Sequence, residues 1–328
     1  MDLIDDTIDF ARYMTETDAR QKVKPASFWT EEMKLRLRKT KTQKKILLPW
    51  PKTVENLEFR EGEVTCWGGI NGHGKSLMTS QIALSFIGQG QKVCIASFEV
   101  LPHKQLDRFH RQYCGLNPKL PEYQNEEGMK CIDQLYDEFS EWTKNSLWIY
   151  DQQGTTTAAT ILGLIKYCAT VLEINHIFVD NLAKLVDNED DYNGQKKFID
   201  QCCAAARDFK IHIHIVHHMR KGNKETDLLD KNDFKGSGAI ADQVDNLIGI
   251  WRNKAKETEF KIKGSNHPKC KEPDVTLRVF KQRNHDGQGD GEPFVLLWFN
   301  NDSWQFLEHP GDSPMYFPNW PHRPSCKG

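Results

Sequence analysis

No stretch of this 328-residue chain approaches the ~20 consecutive apolar residues that a membrane-spanning helix needs. No transmembrane segment and no membrane partner are therefore expected. The nine cysteines, at positions 66, 94, 114, 131, 168, 202, 203, 270 and 326, include no C-x-x-C pair. That excludes the common zinc-ribbon and dithiol redox motifs, and the scattered, odd-numbered set fits small buried thiols in a reducing cytosol. Charge of one sign is not in excess either. Lys and Arg number 44 against 46 Asp and Glu, a net charge of −2. There is no global basic field, so any contact with nucleic acid must come from local patches. The first residues, MDLIDDTIDFAR, are acidic and polar rather than basic and then apolar, which does not fit a secretory signal. A cytoplasmic location is expected. No internal repeat is visible.

What is present is ordinary for a globular chain, at 38% hydrophobic and 27% charged. One dense basic segment stands out, with Lys34, Arg36, Arg38, Lys39, Lys41, Lys44 and Lys45 inside residues 34–45. It reads either as a solvated helix end or as a face for DNA or a partner. Ahead of it, Ile4, Ile8 and Ala11 share one face at helical spacing, predicting a weak amphipathic helix within residues 1–25. Thr30 followed by Glu31 and Glu32 reads as a second helix start. Pro49-Trp50-Pro51 then breaks the chain. Residues 1–54 are expected to be an N-terminal helix and linker, 55–307 the main domain, and 308–328, rich in Pro and Gly, an irregular tail.

From about residue 60 apolar strand-like runs alternate with helical ones. EVTCWGG, KVCIASFE, SLWIYDQ, HIFVDNL and IHIHIVHH predict strands. SLMTSQIALSFIG, TTAATILGLIKYCATVL, QKKFIDQCCAAARDF and the stretches near 103–114 and 125–144 predict helices. This alternation predicts an α/β fold whose mostly parallel central sheet is flanked by helices. VDNLIGIWR, DVTLRVFKQRN and EPFVLLWFN predict a β-rich, antiparallel C-terminal extension. The four histidines at 212, 214, 217 and 218 read as a polar strand face.

Gly69-Ile70-Asn71-Gly72-His73-Gly74-Lys75-Ser76 fits G-x-x-x-x-G-K-[ST] between an apolar strand and a helix, with Leu77 next. Glycines let the backbone wrap a phosphate chain and aim N–H groups at it, and the helix adds its positive end. Lys75 supplies a cation for the β- and γ-phosphates and Ser76 a hydroxyl for Mg²⁺. ATP with Mg²⁺ is the expected ligand. His176-Ile177-Phe178-Val179-Asp180 is an apolar strand ending in a carboxylate, so Asp180 is the second expected metal residue. Ser97-Phe98-Glu99 ends the strand after the P-loop helix. In a parallel sheet that end lies on the ligand edge, where Glu99 can polarise an attacking water.

These motifs, followed by Val-His-His-Met-Arg-Lys, Gly-Ser-Gly-Ala-Ile and Lys-Gln-Arg-Asn in that order, resemble the hexameric replicative helicases: bacterial DnaB, the phage primase-helicases and mitochondrial Twinkle. The resemblance covers about residues 55–307 and implies a RecA-like ATPase core. It implies that His218 senses the γ-phosphate and that Lys281 and Arg283 reach a neighbouring subunit's ATP, Arg283 as the arginine finger. It implies that Arg252 and Phe299 hold the base. It also implies a homo-oligomeric, hexameric ring around single-stranded DNA, and allows a separate primase and DNA polymerase as partners. DNA contact would fall on the loop after Asp180 and on residues 219–240, which carry Arg220, Lys221, Lys224 and Lys235, then Gly236, Ser237 and Gly238. The first loop is acidic here. No primase-type domain or acidic tail is expected, so neither priming nor a tail-mediated polymerase contact is implied.

The expected activity is an ATP-dependent DNA helicase driving replication. The alternatives are a RecA-like recombinase, which shares the P-loop, the strand-ending Asp and Glu99, and a nucleotide-switched DNA loader. The late KQRN segment favours the helicase over the first, and Glu99 with Arg283 favour it over the second.

Overall fold

The computed structural model describes residues 46–54, 57–152, 154, 156–182, 191–219, 238–264, 267–284 and 294–319, with residues 3–4, 26–27, 30 and 33–35 before them. Its strands are β1 (Leu3–Ile4), β2 (Val64–Gly69), β3 (Val93–Ser97), β4 (Leu147–Tyr150), β5 (His176–Asp180), β6 (His212–His218), β7 (Asn246–Arg252), β8 (Val275–Gln282), β9 (Phe294–Asn300) and β10 (Gln305–Leu307). Its helices are α1 (Lys75–Gly88), α2 (Pro102–Cys114), α3 (Glu126–Thr143), α4 (Ala158–Thr170), α5 (Tyr192–Phe209), α6 (Gly238–Gln243) and α7 (Lys254–Lys263).

One sheet runs in the order β1-β4-β3-β5-β6-β2-β7-β8-β9-β10. The strands from β1 through β7 pair in parallel, and β8, β9 and β10 add antiparallel neighbours. The parallel strands read as apolar runs because both of their faces are covered. Cys94, Ala96, Ile177, Val179, Ile213 and Ile215 pack with Ile161 and Ile165 of α4 and Phe198 and Cys202 of α5. The alternating residues Val93, Ile95 and Phe178 face the other way, toward Met78, Ile82 and Phe86 of α1 and Phe109 and Tyr113 of α2.

The expected strand–helix alternation is reproduced, with differences that have physical causes. VDNLIGIWR is not part of the antiparallel extension: β7 pairs in parallel with β2 and antiparallel only with β8. Leu3–Ile4 forms a strand on the edge beside β4 rather than the start of a helix, which gives the free backbone groups of that edge a partner. Helical residues at 26–27, 30 and 33–35 accompany the expected helix start at Thr30. The remainder of the N-terminal helix, and residues 36–45 of the basic segment, lie outside the described residues.

The expected domain boundaries cut through packed structure. Trp50, placed in the linker, is fully buried and its indole N–H donates to the Phe306 carbonyl at 2.7 Å. Phe317, placed in the tail, is fully buried, and Met315 N–H donates to Gln305 Oε1 at 2.7 Å. The helix α7 was not foreseen, since KAKETEFKIK has little apolar periodicity. Asn253 starts it, its side chain accepting from Lys256 N–H at 2.9 Å.

The histidines of β6 do not make a polar face. His212 and His214 are buried with His176 of β5 among Phe59, Trp67, Phe86 and Phe178. Trp67 donates to His214 Nδ1 at 3.2 Å, and His214 Nε2 lies 3.1 Å from His176 Nδ1. The indole can only donate, so His214 carries its proton on Nε2 and gives it to His176. Likewise His212 Nδ1 faces the Arg60 carbonyl at 2.6 Å, which only accepts, so His212 Nε2 accepts from the Thr65 hydroxyl at 2.8 Å. This network holds the rings neutral. Burial pushes His212 down to about 4, and pushes His176 and His214 well below the usual histidine range.

Candidate active site

The carboxyl ends of β2, β3, β5 and β6 share one edge of the sheet, and the predicted phosphate residues gather there. β2 ends at Gly69, where a side chain has no room: a Cβ would meet the Ile250 carbonyl at 2.7 Å. The chain turns through Gly72 and Gly74, both left-handed at φ 77° and 82°, a conformation glycine adopts at no steric cost. Gly74 is the N-cap of α1 and no side chain caps that end. The helices α3, α4, α5 and α7, by contrast, are capped by Asn125, Thr157, Asp191 and Asn253. The first-turn N–H groups and positive end of α1 therefore face the cleft.

That cleft, of about 550 Å³, is lined by Asn71, Gly74, Lys75, Ser76, Glu99 and His218 among others. Lys75 folds back on its own loop and donates to the carbonyls of Gly69 at 2.9 Å and Ile70 at 3.1 Å. It is 5% exposed, and burial lowers its ammonium to about 8 against the opposing pull of Asp180 and Glu99. Ser76 donates to Asp180 Oδ2 at 2.5 Å. Burial raises the Asp180 carboxyl, while the Ser76 hydrogen bond and the cations Lys75 and Arg108 lower it. Two oxygen donors side by side, one of them anionic, suit a hard cation such as Mg²⁺. Glu99 and His218 come together through Asn181, which donates to Glu99 Oε1 at 2.7 Å and lies 2.5 Å from His218 Nε2.

Other predicted residues fall elsewhere. His73 is buried and uses Nδ1 to accept from Arg252 N–H at 3.1 Å, which braces the loop against β7. Arg252 pairs with Glu257 and approaches the Gly72 carbonyl at 3.4 Å, and Phe299 packs on Phe306 with ring centroids 5.2 Å apart. Both thus stand beside the phosphate loop, Arg252 next to Gly72 and Phe299 on Phe306, whose ring faces Gly74, although neither is among the residues lining the cleft. Lys281 donates to the carbonyls of Ala241 at 3.0 Å and Asp242 at 2.8 Å. Arg283 pairs with Asp245 at 3.3 Å. Asp245 also accepts from the N–H of Val64, the first residue of β2, at 3.0 Å. Arg283 thus lies on the opposite edge of the sheet from its own P-loop, roughly 20 Å away at ~3.3 Å per strand residue. Gly238 opens α6. Arg220, Lys221, Lys224, Lys235, Gly236 and Ser237, with the acidic loop 183–190, lie outside the described residues.

Four cleft residues were not singled out from the sequence: Val100, Arg108, Asn181 and Trp304. Asn181 follows the strand-ending Asp180 directly, a signal that could have been read. Arg108 sits nine residues after Glu99 on α2, and Trp304 in the turn before β10, where no local pattern marks them.

The sequence pattern of the AAA domain family matches residues 34–224. A DNA helicase/primase of Enterobacteria phage T3 is 25% identical over 213 residues, 60% of this chain and 36% of that protein. The chain thus spans about a third of the length of that curated relative. Among solved structures, an ATPase domain superposes with a TM-score of 0.69 at 14% identity, covering 88% of this chain and all of that one. A DnaB-like replicative helicase, solved in a study of its interactions with primase, gives 0.65 at 13% identity over 87% of this chain and 67% of that one. The fold is that of these RecA-like ATPase domains.

Proposed function

The chain belongs to the AAA domain family, whose members bind nucleotide, and from that premise we propose that it is the ATP-hydrolysing motor of a ring-shaped replicative DNA helicase. In this reading it translocates on single-stranded DNA and separates duplex at a fork, alongside a primase and a polymerase supplied by other chains.

The observation that carries the reading is the division of catalytic groups between the two edges of the sheet. The P-loop, Asp180, Glu99 and His218 meet on one edge, and Lys281 and Arg283 stand on the other. A subunit built this way offers a phosphate site at one side and a cation pair at the other. Head-to-tail repetition brings the two together and, when the rotation closes, makes a ring. Lys75 and the N–H groups of α1 hold the phosphates. Ser76 and Asp180 hold Mg²⁺, which neutralises charge on the β- and γ-phosphates. Glu99 accepts the proton of the attacking water, and His218 registers the γ-phosphate. Arg283 of a neighbour steadies the transferring phosphoryl group, a role in which a planar, permanently charged fork can grip two oxygens.

The likeness to the phage DNA helicase/primase supports DNA as the track. The test is unwinding of a forked DNA by the purified protein with ATP and Mg²⁺. Strand separation that needs hydrolysis supports the helicase. ATP-dependent filaments that exchange strands without unwinding would make it a recombinase.

A further inference from the structure

The strand that leads to Arg283 changes face just before it. Leu277 and Val279 of β8 pack on the side of α1. Side chains alternate along a strand, so Lys281 and Arg283 would follow them to that side if β8 ran unbroken. The register with β7 shifts instead. Val279 pairs with Ile248 and Lys281 with Leu247, which leaves Phe280 as an extra residue. A bulge of this kind re-aims the side chains beyond it. Residues directly opposite in an antiparallel pair share a face, and Leu247 packs on the other side of the sheet, with Ile240, Ala241 and Val244. Lys281 and Arg283 are turned to that side, where Lys281 meets the Ala241 carbonyl and Arg283 meets Asp245.

Each polar atom of Asp245 is engaged, and its partners are Val64 and Arg283. Its N–H donates to the Val64 carbonyl at 3.0 Å, and its Oδ2 accepts from the Val64 N–H at 3.0 Å. Its carbonyl accepts from the Arg283 N–H at 2.9 Å, and its Oδ1 from Arg283 Nη1 at 3.3 Å. The Asp245 side chain is 5% exposed and that of Arg283 42%. A carboxylate fixed in the fold therefore holds one end of a guanidinium whose remainder faces outward. Nη2 rests on the Asp242 carbonyl at 3.0 Å, in the last turn of α6. The guanidinium is a rigid planar fork, so holding it at Nη1 orients Nη2.

We propose that Asp245 is the positioning residue of the arginine finger. It keeps Nη1 while Nη2 exchanges the α6 carbonyl for a phosphoryl oxygen of the neighbouring subunit's nucleotide. The proposal rests on the reading of Arg283 as a finger acting in trans and adds what aims it. The competing role follows from Val64: β2 ends in the chain's own P-loop, so Asp245 could serve that half of the site instead.

Half-site complementation separates the two roles. Asp245→Asn keeps an acceptor for the Val64 N–H and removes the charge facing Arg283. The full chain carrying it should melt cooperatively and bind an ATP analogue with an imido β–γ bridge as the wild type does. Its kcat should fall about 10²-fold, the scale of a displaced group and less than loss of the finger itself. Mixed with Lys75→Ala, whose finger is intact, it should regain ATPase, because its own P-loop is whole. Mixed with Arg283→Ala it should stay inactive, because neither protein supplies an aimed finger. The reverse pattern would assign Asp245 to its own phosphate site and overturn the proposal. Recovery with neither partner, or an unchanged kcat, would overturn it too. Asp245→Ser, smaller and uncharged, serves the same comparison where the Asn variant does not melt cooperatively. The control pair is Lys75→Ala with Arg283→Ala. If that pair recovers and the Asp245 variant does not, the positioning role alone is wrong. If the control pair stays inactive, the finger in trans falls and the positioning role falls with it.

Discussion

Asn181 donates a hydrogen bond to Glu99 at 2.7 Å, and its other amide hydrogen is aimed at His218 Nε2, 2.5 Å away. The residue proposed to activate water and the residue proposed to sense the γ-phosphate are therefore held by one amide. A movement of either is felt by the other. Replacing Asn181 with Leu keeps the volume and removes both bonds. Turnover is expected to fall about ten-fold or more while KM for ATP changes little, because the phosphates are held by other groups. Steady-state ATPase kinetics check this, and a rise in KM with unchanged kcat would contradict it.

Glu99→Gln preserves an acceptor for Asn181 but cannot take a proton. Nucleotide binding should persist while turnover drops by ~10²-fold or more, the usual scale for loss of a general base. Parallel measurement of binding and single-turnover hydrolysis separates the two. Equal losses would assign Glu99 a structural part.

The buried histidines make stability depend on pH in a defined direction. His212 is lowered to about 4 in the fold, and His176 and His214 lie well below their ordinary value. Unfolded, each titrates near ~6.5. Their contribution is thus complete above that pH and is lost as the pH falls toward 4. The slope is about 1.4 kcal/mol per pH unit for each histidine that takes up a proton on unfolding. Urea melts at pH 7.5, 6 and 5 should show the loss, and His212→Gln should reduce it by one histidine's share. Constant stability across that range would contradict the neutral network.

The sequence carried most of the sheet because its parallel strands are buried on both faces and so appear as plain apolar runs. Alternation misled at β6. IHIHIVHH looks half polar, yet His214 is satisfied by Trp67 and by His176 of β5, and His212 by Thr65 and the Arg60 carbonyl, through hydrogen bonds no periodicity can reveal. The phosphate loop was legible because its chemistry is local in sequence, a turn of glycines before a lysine and a helix. Arg108 and Trp304 were not. They reach the cleft from α2 and from the turn before β10, and only the packing of those elements on α1 brings them near Lys75. The domain ends were misread for the same reason: Trp50 and Phe317 are buried by partners more than two hundred residues away or in other helices.

Arg283 stands on the far edge of the sheet from Lys75, so neither residue can complete a site within one chain. Arg283→Ala should reduce ATPase by about 10³-fold or more, the scale of a lost arginine finger, without weakening nucleotide binding to match. Lys75→Ala should be inactive from the other half of the site. Because Lys75 is buried against the Gly69 and Ile70 carbonyls, its variant must first be shown to melt cooperatively. Mixing the two inactive proteins is the most direct test of a site shared between subunits. Mixed assemblies contain interfaces where an intact Lys75 meets an intact Arg283, and ATPase should reappear on mixing. If the two variants demonstrably exchange into common assemblies and no activity returns, hydrolysis between subunits through Arg283 is wrong.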